Sequence, residues 1–218
     1  MRNARHTRVG LLPLLVATAA IGVACDPSLR PGLETPEALL AERQAQIEID
    51  SIPALVVVSQ TVTGPYSQHP KVFSEMGRYI TANYSWLAYC IGIYPDDPDV
   101  VASDALTWQV VFPVSSPGLE FSDPYDVLEI LPKPAAGYEL RVLPATAAAV
   151  LVTNVKEAAT DGLALIDWIV RNGYVQIAPT RMEFLADAEV PEMVPTRIVI
   201  PVVERTSGLR LDGASGVR

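Results

Sequence analysis

The chain has 218 residues, of which 50% are hydrophobic and 19% charged, and this composition excludes an intrinsically disordered protein. Its first 24 residues contain three arginines and no acidic residue, so the remainder has 13 basic and 25 acidic residues and a net charge of −12. Such an acidic body excludes a general nucleic-acid binder, which needs a basic surface for the phosphates. Two cysteines in all exclude a disulfide scaffold and a cysteine-rich metal cluster.

The N-terminus has the three parts of a secretory signal peptide. Three arginines within the first eight residues form a basic start, residues 9–20 form an apolar run too short to span a membrane, and small residues lead to Cys25. This arrangement resembles a bacterial lipoprotein signal, so we expect a signal peptide over residues 1–24 and lipidation of Cys25. The alternative is ordinary cleavage that leaves the cysteine unmodified. A diacylated cysteine would anchor the protein in the bacterial cell envelope, facing the periplasm.

Composition divides the rest of the chain into three parts. Residues 25–51 are rich in Pro, Glu, Gln and Ala and predict a tether, within which Thr35 can cap a short helix that starts at Pro36. Residues 52–204 carry the periodic hydrophobic patterns of a folded domain of roughly 150 residues, enough for one hydrophobic core. Residues 205–218 are rich in Gly, Ser and Arg and predict a flexible tail.

The domain contains an internal repeat with an interval of about 90 residues. Each copy, about 52–115 and 142–203, shows an apolar strand, an amphipathic helix and two further strands. The closing strands match well, since Val111–Val114 and Val199–Val202 both carry proline at their third position. We therefore predict an α+β fold in which two pseudo-symmetric β-α-β-β repeats form a mostly antiparallel sheet with two main helices.

Several short strings resemble a known family. Gly64–Tyr66 reads Gly-Pro-Tyr before the first helix, Gly92–Pro98 reads Gly-Ile-Tyr-Pro-Asp-Asp-Pro after it, and Met182–Leu185 reads Met-Glu-Phe-Leu. Together they are similar to the GyrI-like small-molecule-binding domain, whose fold group includes effector-binding domains of AraC- and MerR-type regulators and SOUL haem-binding proteins. The resemblance covers Ile52–Val203 and implies a SOUL/GyrI-like fold that binds a small molecule. The chain departs from the family at Asn154–Lys156, where many members repeat Gly-Pro-Tyr, and in lacking a DNA-binding domain, so we expect no nucleic-acid partner.

A glutamate in the second repeat is the main candidate site residue. Alternation along its strand places the two apolar neighbours toward the helices and Glu183 on the opposite face, in a groove where the repeats meet. The first repeat has Ile93 at the equivalent position. The resemblance implies that Glu183 is the central anionic group of a ligand cavity, where a lipophilic cation would supply the partner that a buried carboxylate needs. The alternative is a salt bridge with Arg181 or Arg197 on a hydrated part of the sheet.

Four aromatic residues are candidates for the walls of this cavity, because their ring faces attract cations. They are Tyr66, Tyr94, Trp108 and Trp168. For each of them, packing in the hydrophobic core is the alternative. Strand alternation places Tyr94 on the side that faces the helices, and Trp168 lies on the apolar face of the second helix.

Other chemistries find little support in the mature chain. Its single histidine, His69, precludes a zinc triad and, in a turn-like setting, makes haem ligation a minor alternative. Asp96, Asp97 and Asp99 surround Pro98 and predict a turn rather than a metal site. The sequence has no nucleotide-binding motif and no Gly-x-Ser-x-Gly string. We therefore expect neither a metal nor another cofactor.

These observations predict an anchored protein of the cell envelope that binds hydrophobic, cationic small molecules in a central groove, with Glu183 as anchor. A first alternative is a small hydrolase of strained electrophiles in which the same glutamate activates water, as the resemblance to some GyrI-like proteins implies. A second alternative is a membrane-tethered protein-interaction module that uses the helix 39–47 or the C-terminal tail. Binding without catalysis is the principal expectation.

Overall fold

The computed structural model describes residues 42–86, 89–115, 123–185 and 193–205. The predicted signal peptide, Cys25, most of the tether and nearly all of the tail lie outside these residues. Within the described ranges, no helix is both long enough and apolar enough to cross a membrane.

Ten strands of the described chain form one antiparallel sheet. In chain order they are β1 (Glu48–Ile52), β2 (Leu55–Thr63), β3 (Ser85–Trp86), β4 (Cys90–Tyr94), β5 (Thr107–Ser115), β6 (Glu139–Leu143), β7 (Thr146–Asn154), β8 (Tyr174–Gln176), β9 (Thr180–Phe184) and β10 (Pro195–Glu204). Their order across the sheet is β1-β7-β10-β9-β4-β5-β2-β6, with β3 paired to β5 and β8 paired to β10. Many of these strands are rich in β-branched residues, which favour extended backbone.

Three helices that are described over their whole length accompany the sheet: α1 (His69–Asn83), α2 (Pro124–Ile130) and α3 (Ala158–Arg171). Residues 42–45, at the start of the described chain, are also helical. Helix α1 follows a short 3₁₀ turn and has proline in its first turn, where no backbone donor is lost. The first turn of α2 is capped by the side chain of Asp123, which accepts a hydrogen bond from the backbone N–H of Tyr125. Helices α1 and α3 bury apolar side chains, among them Met76, Ile80 and Leu165, in the main hydrophobic core.

The two predicted repeats are present and meet at the centre of the sheet. Strands β4 and β9, one from each repeat, lie side by side, with Ile91 opposite Glu183 and Ile93 opposite Arg181. The equivalent strands then follow outward in the same order on both sides, β5 and β2 on one side and β10 and β7 on the other. The predicted α+β fold with two pseudo-symmetric repeats and a mostly antiparallel sheet is therefore confirmed.

The outermost strands are exchanged between the repeats. Strand β1, which precedes the first repeat, pairs with β7 of the second, and β6, which precedes the second repeat, pairs with β2 of the first. The sheet consequently begins at Glu48, four residues before the predicted start of the domain at Ile52. This exchange ties each repeat to the chain segment that leads into the other.

Candidate functional site

Glu183 is fully buried in the middle of β9, with 0% of its surface exposed. Strand alternation directs its side chain to the face of the sheet opposite α1 and α3, as predicted. We call this surface the Glu183 face. Its apolar residues include Val57, Ile91, Ile93 and Val111, all buried, so apolar side chains adjoin the carboxylate on the β4 side.

The glutamate is paired with Arg197, which lies directly opposite on β10. The Nε and Nη2 groups of Arg197 both donate to Oε2 of Glu183, at 2.8 and 2.5 Å. The other carboxylate oxygen, Oε1, is buried and accepts no hydrogen bond from the described residues. The salt bridge that was the alternative interpretation of Glu183 therefore exists, but it lies on a buried and not on a hydrated part of the sheet, and it occupies one oxygen only.

Two more arginines lie on the Glu183 face. Arg181 is 6% exposed, and its buried Nη1 has no hydrogen-bond partner among the described residues. Arg141 donates from Nε to Ser59 at 3.1 Å and from Nη2 to Gln109 at 2.7 Å. Burial lowers the pKa of the Arg181 guanidinium, Glu183 raises it, and the positive charge of Arg141 lowers it further.

One aromatic residue of this face was missed by the sequence analysis. Tyr89 precedes β4 and packs against the apolar residues of the Glu183 face. Burial and the nearby negative charge of Glu183 raise the pKa of its hydroxyl to about 12. The spacing of residues in the sequence could have identified it. Tyr89 is two residues before Ile91 and four before Ile93, which places all three on one face of a strand.

The predicted aromatic walls do not surround Glu183. Tyr66, Tyr94 and Trp108 lie in the core on the helix-facing side, where they form an aromatic cluster with His69 and Phe73. Within it the ring centroids are 5.2 Å apart between Tyr66 and Tyr94 and 6.3 Å apart between Tyr66 and Trp108. The sheet separates this cluster from the glutamate, because Tyr94 and Glu183 point to opposite faces of adjacent strands.

Trp168 belongs to neither group. Its ring stacks on Tyr174 with a centroid distance of 5.9 Å and an interplanar angle of 11°. Both side chains are half-buried against the main core. Trp168 therefore packs against the hydrophobic core, which was the alternative for all four aromatic residues. Its ring does not line the site of the Glu183 carboxylate.

His69 begins α1 and lies among aromatic rings, so the turn-like setting expected for it is wrong. Its ring centroid is 4.3 Å from that of Trp108 and 5.3 Å from that of Tyr94. Burial lowers the pKa of His69 to about 4, because a charged imidazolium would lose its hydration. Its Nε2 has no hydrogen-bond partner within the described chain.

The aspartates after β4 fold into a turn. The carboxylate of Asp96 accepts a hydrogen bond from the backbone N–H of Thr107 at 2.6 Å, and that of Asp97 accepts one from the N–H of Asp99 at 2.8 Å. The hydroxyl of Tyr66 donates to the carbonyl of Asp96 at 3.0 Å. Across the residues that the structure describes, no group of three or more potential metal-ligating side chains comes together.

The N-terminal docking helix of the second alternative is only partly visible. Leu39 and Leu40 lie outside the described residues, whereas Ile47 is 9% exposed and belongs to the main core. Ile47 therefore packs inside its own domain and is not available to a partner.

Comparison with solved structures identifies proteins with a similar fold. The C-terminal domain of EcmrR is 18% identical, with a TM-score of 0.59 over 73% of this chain and 98% of that chain. The EcmrR chain in a complex with DNA is 17% identical, with a TM-score of 0.60 over 77% of this chain but only 63% of its own length. An uncharacterized conserved protein from Listeria innocua is 11% identical, with a TM-score of 0.51 over 72% and 92%. At these identities the likeness concerns the fold alone. A search of curated proteins found no match.

The sequence itself carries the family assignment. The model of the GyrI-like small molecule binding domain matches residues 45–203, which include both repeats and the exchanged strands β1 and β6. The match confirms the resemblance found in the Gly-Pro-Tyr and Gly-Ile-Tyr-Pro-Asp-Asp-Pro strings. It also supports small-molecule binding as the general function of the domain. The chain therefore belongs to the GyrI-like family of small-molecule-binding domains.

Proposed function

We propose that this protein binds a hydrophobic, cationic small molecule on the Glu183 face while anchored in the bacterial cell envelope. The observation that carries the proposal is the unshared oxygen of Glu183. Oε1 is buried and has no donor among the described residues, although the rest of the carboxylate is paired with Arg197. A buried acceptor without a donor is costly, and a ligand with an N–H group would satisfy it.

The surroundings suit a hydrophobic ligand body. Ile91, Ile93 and Val111 flank the carboxylate, and the ring of Tyr89 packs against the same residues. Apolar surface gives a ligand most of its binding free energy, and a few polar groups fix its orientation. We therefore assign the aromatic contact to Tyr89 and not to the helix-facing cluster around Tyr94.

Titration of a fluorescent lipophilic cation tests the anchor. We expect 2-(2-naphthyl)ethylammonium to bind the wild-type protein and to lose about tenfold in affinity on Glu183→Gln, which corresponds to one charge-assisted hydrogen bond. The matched control is Glu129→Gln, because Glu129 is an exposed carboxylate on α2. Equal affinity in the wild type and Glu183→Gln, or an equal loss in both variants, would exclude Glu183 as the anchor.

Anchoring in the envelope depends on Cys25. A basic start, a short apolar run and a cysteine at the predicted cleavage site support this part of the proposal. We expect the wild-type protein to sediment with membranes and Cys25→Ser to appear in the soluble fraction. Cys90→Ser is the matched control and should remain in the membrane fraction. A mature mass without two or more acyl chains on Cys25 would contradict lipidation.

A further inference from the structure

Arg181 is a second buried charged residue on the Glu183 face, and one of its hydrogen-bond donors has no acceptor in the described part of the chain. It is 94% buried, and its Nη1 donor has no acceptor among the described residues. Among the ion pairs of the described residues, one joins Glu183 to Arg197, and none joins Arg181 to a carboxylate. A guanidinium is seldom buried without an anionic or carbonyl oxygen beside it, because its desolvation is otherwise uncompensated.

The residue with the unpartnered donor and the residue with the unpartnered acceptor lie on the same strand. Arg181 and Glu183 are two residues apart on β9, so their side chains leave the same face of the strand about 7 Å apart. Their pseudo-symmetric equivalents on β4 are Ile91 and Ile93, which are apolar. One half of the symmetric face therefore carries a pair of opposite charges where the other half carries two isoleucines.

The other two arginines of the Glu183 face, Arg197 and Arg141, already have partners. Arg197 is engaged with Glu183, and Arg141 is engaged with two neutral acceptors and, at 3.8 Å, with the exposed Glu139. After these pairs are formed, the unsatisfied groups of the face, among the described residues, are one guanidinium donor, on Arg181, and one oxygen of a carboxylate whose charge Arg197 already balances. A simple cation would satisfy the acceptor at Glu183 and leave Arg181 beside a further positive charge.

We propose that the ligand has a dipolar head group, in which an anionic oxygen accepts from Nη1 of Arg181 and an adjacent N–H donates to Oε1 of Glu183. This inference rests on the proposed function: it keeps the hydrophobic body and the cationic N–H group and adds an anionic half, so that the ligand is an amphipathic zwitterion. A hydrophobic body would lie against the isoleucines of β4, and the head group would lie over β9. An α-amino acid or an amino-carboxylate of similar size has the required donor and acceptor on neighbouring atoms.

Three probes with one hydrophobic body separate the possible head groups. They are 2-(2-naphthyl)ethylammonium, 3-(2-naphthyl)propionate and 3-(2-naphthyl)alanine, which present a cation, an anion and a zwitterion. Calorimetric titration of the wild-type protein should give naphthylalanine a Kd at least tenfold below those of the other two. This comparison needs no variant and is unaffected by a substitution that disturbs folding.

Variants then assign each half of the head group. Arg181→Gln should weaken naphthylalanine and naphthylpropionate about tenfold and should not weaken naphthylethylammonium, because it removes a positive charge from beside the cation. Arg181→Lys, which keeps the charge and loses the second N–H arm, should fall between wild type and Arg181→Gln. Glu183→Gln should weaken naphthylalanine and naphthylethylammonium. Arg171→Gln is the matched control, because this arginine is exposed on α3.

The outcomes distinguish this inference from the proposed function. If naphthylethylammonium binds in a Glu183-dependent way and naphthylalanine binds no more tightly, the dipolar head group is wrong and the cationic ligand stands. If naphthylalanine binds more tightly but Arg181→Gln does not weaken it, Arg181 does not hold the anionic half and the inference is overturned. If none of the three probes binds, both proposals fail.

Discussion

Glu183 and Arg197 face each other across β9 and β10, and one carboxylate oxygen accepts both hydrogen bonds from the guanidinium, at 2.8 and 2.5 Å. The glutamate side chain is fully buried, whereas that of Arg197 is 28% exposed. The pair therefore has an inner end that water does not reach and an outer end that it does. Replacement of Arg197 and replacement of Glu183 should therefore affect stability and ligand binding differently.

Loss of Arg197 should destabilise the fold strongly. Arg197→Ala leaves the buried carboxylate of Glu183 without its hydrogen-bonded cation, and we expect the free energy of unfolding to fall by about 3–5 kcal/mol. Combining it with Glu183→Gln should recover part of this loss, because the neutral amide does not need the cation that Arg197 supplied. Chemical denaturation measures both changes.

An exposed ion pair provides the control for this prediction. Arg171 and Asp167 are four residues apart on α3, with side chains 65% and 39% exposed. Arg171→Ala should therefore change the free energy of unfolding by no more than about 0.5 kcal/mol. If Arg197→Ala is as mild as this control, the buried pair has no special role in stability.

Strand alternation predicted the orientation of the central residues but not their partners. The period of two in β4 and β9 correctly placed Glu183 on one face and Tyr94 on the other. The same period argued against Tyr94 as a wall of the Glu183 site, yet the attraction of aromatic ring faces for cations kept it among the candidates. A periodic pattern defines faces, and it was more informative here than the list of nearby aromatic residues.

Contacts between distant strands could not be predicted in this way. Arg141 reaches Gln109 and Ser59 because β6 pairs with β2, next to β5. Strand β6 is a short edge strand of five residues whose partner lies about 80 residues earlier in the chain. Hydrophobic periodicity carries no information about such pairings, since many registers bury the same apolar residues.

The buried histidine should make stability depend on pH. His69 has a pKa of about 4 in the folded protein against an ordinary value of 6.5, so between these values the unfolded chain binds a proton that the folded chain does not. Stability is therefore lost as the pH falls from 6.5 to about 4, by up to about 3 kcal/mol. Above pH 6.5 this contribution is constant.

Replacement of the imidazole by another ring isolates this effect. His69→Phe keeps an aromatic ring beside Trp108 and Tyr94 and cannot titrate. The difference in unfolding free energy between wild type and variant should be constant above pH 6.5 and shift in favour of the variant toward pH 4. A difference that does not vary between pH 4 and 7 would show that His69 titrates normally in the folded protein.

Gly92 should tolerate no side chain while Tyr94 is present. A Cβ atom at this position would lie 2.6 Å from Cζ of Tyr94, whose ring is buried and packed over the glycine. We expect Gly92→Ala to lower the free energy of unfolding by about 1–3 kcal/mol, because the ring cannot move aside without disturbing the core. Thermal or chemical denaturation provides the measurement.

A double-mutant cycle attributes the cost to this contact. In a Tyr94→Val background the ring is absent, so Gly92→Ala should cost less than in the wild type, with a coupling of about 1 kcal/mol or more. Additive effects of the two substitutions would mean that the loss arises from the backbone of β4 and not from the ring.

The segment before β1 is attached to the second repeat through Arg43. Its guanidinium pairs with Glu157 and, at 3.4 Å, with Asp161, whose carboxylate is 3% exposed and also accepts a hydrogen bond from Thr153. Gln44 adds a hydrogen bond of 3.0 Å to Asp167. Arg43→Ala should therefore destabilise the domain by about 1–3 kcal/mol, since it leaves the buried Asp161 without its counter-charge.

Two further variants determine whether charge causes this loss. Asp161→Asn should reduce the effect of Arg43→Ala, because the amide needs no cation, whereas Lys156→Ala, which removes an exposed basic residue from the turn before α3, should have little effect. Amide hydrogen exchange in β1 should accelerate in Arg43→Ala, because that edge strand follows directly from the released segment. Unchanged exchange and stability would mean that Ile47 and the pairing of β1 hold the segment without help from the ion pair.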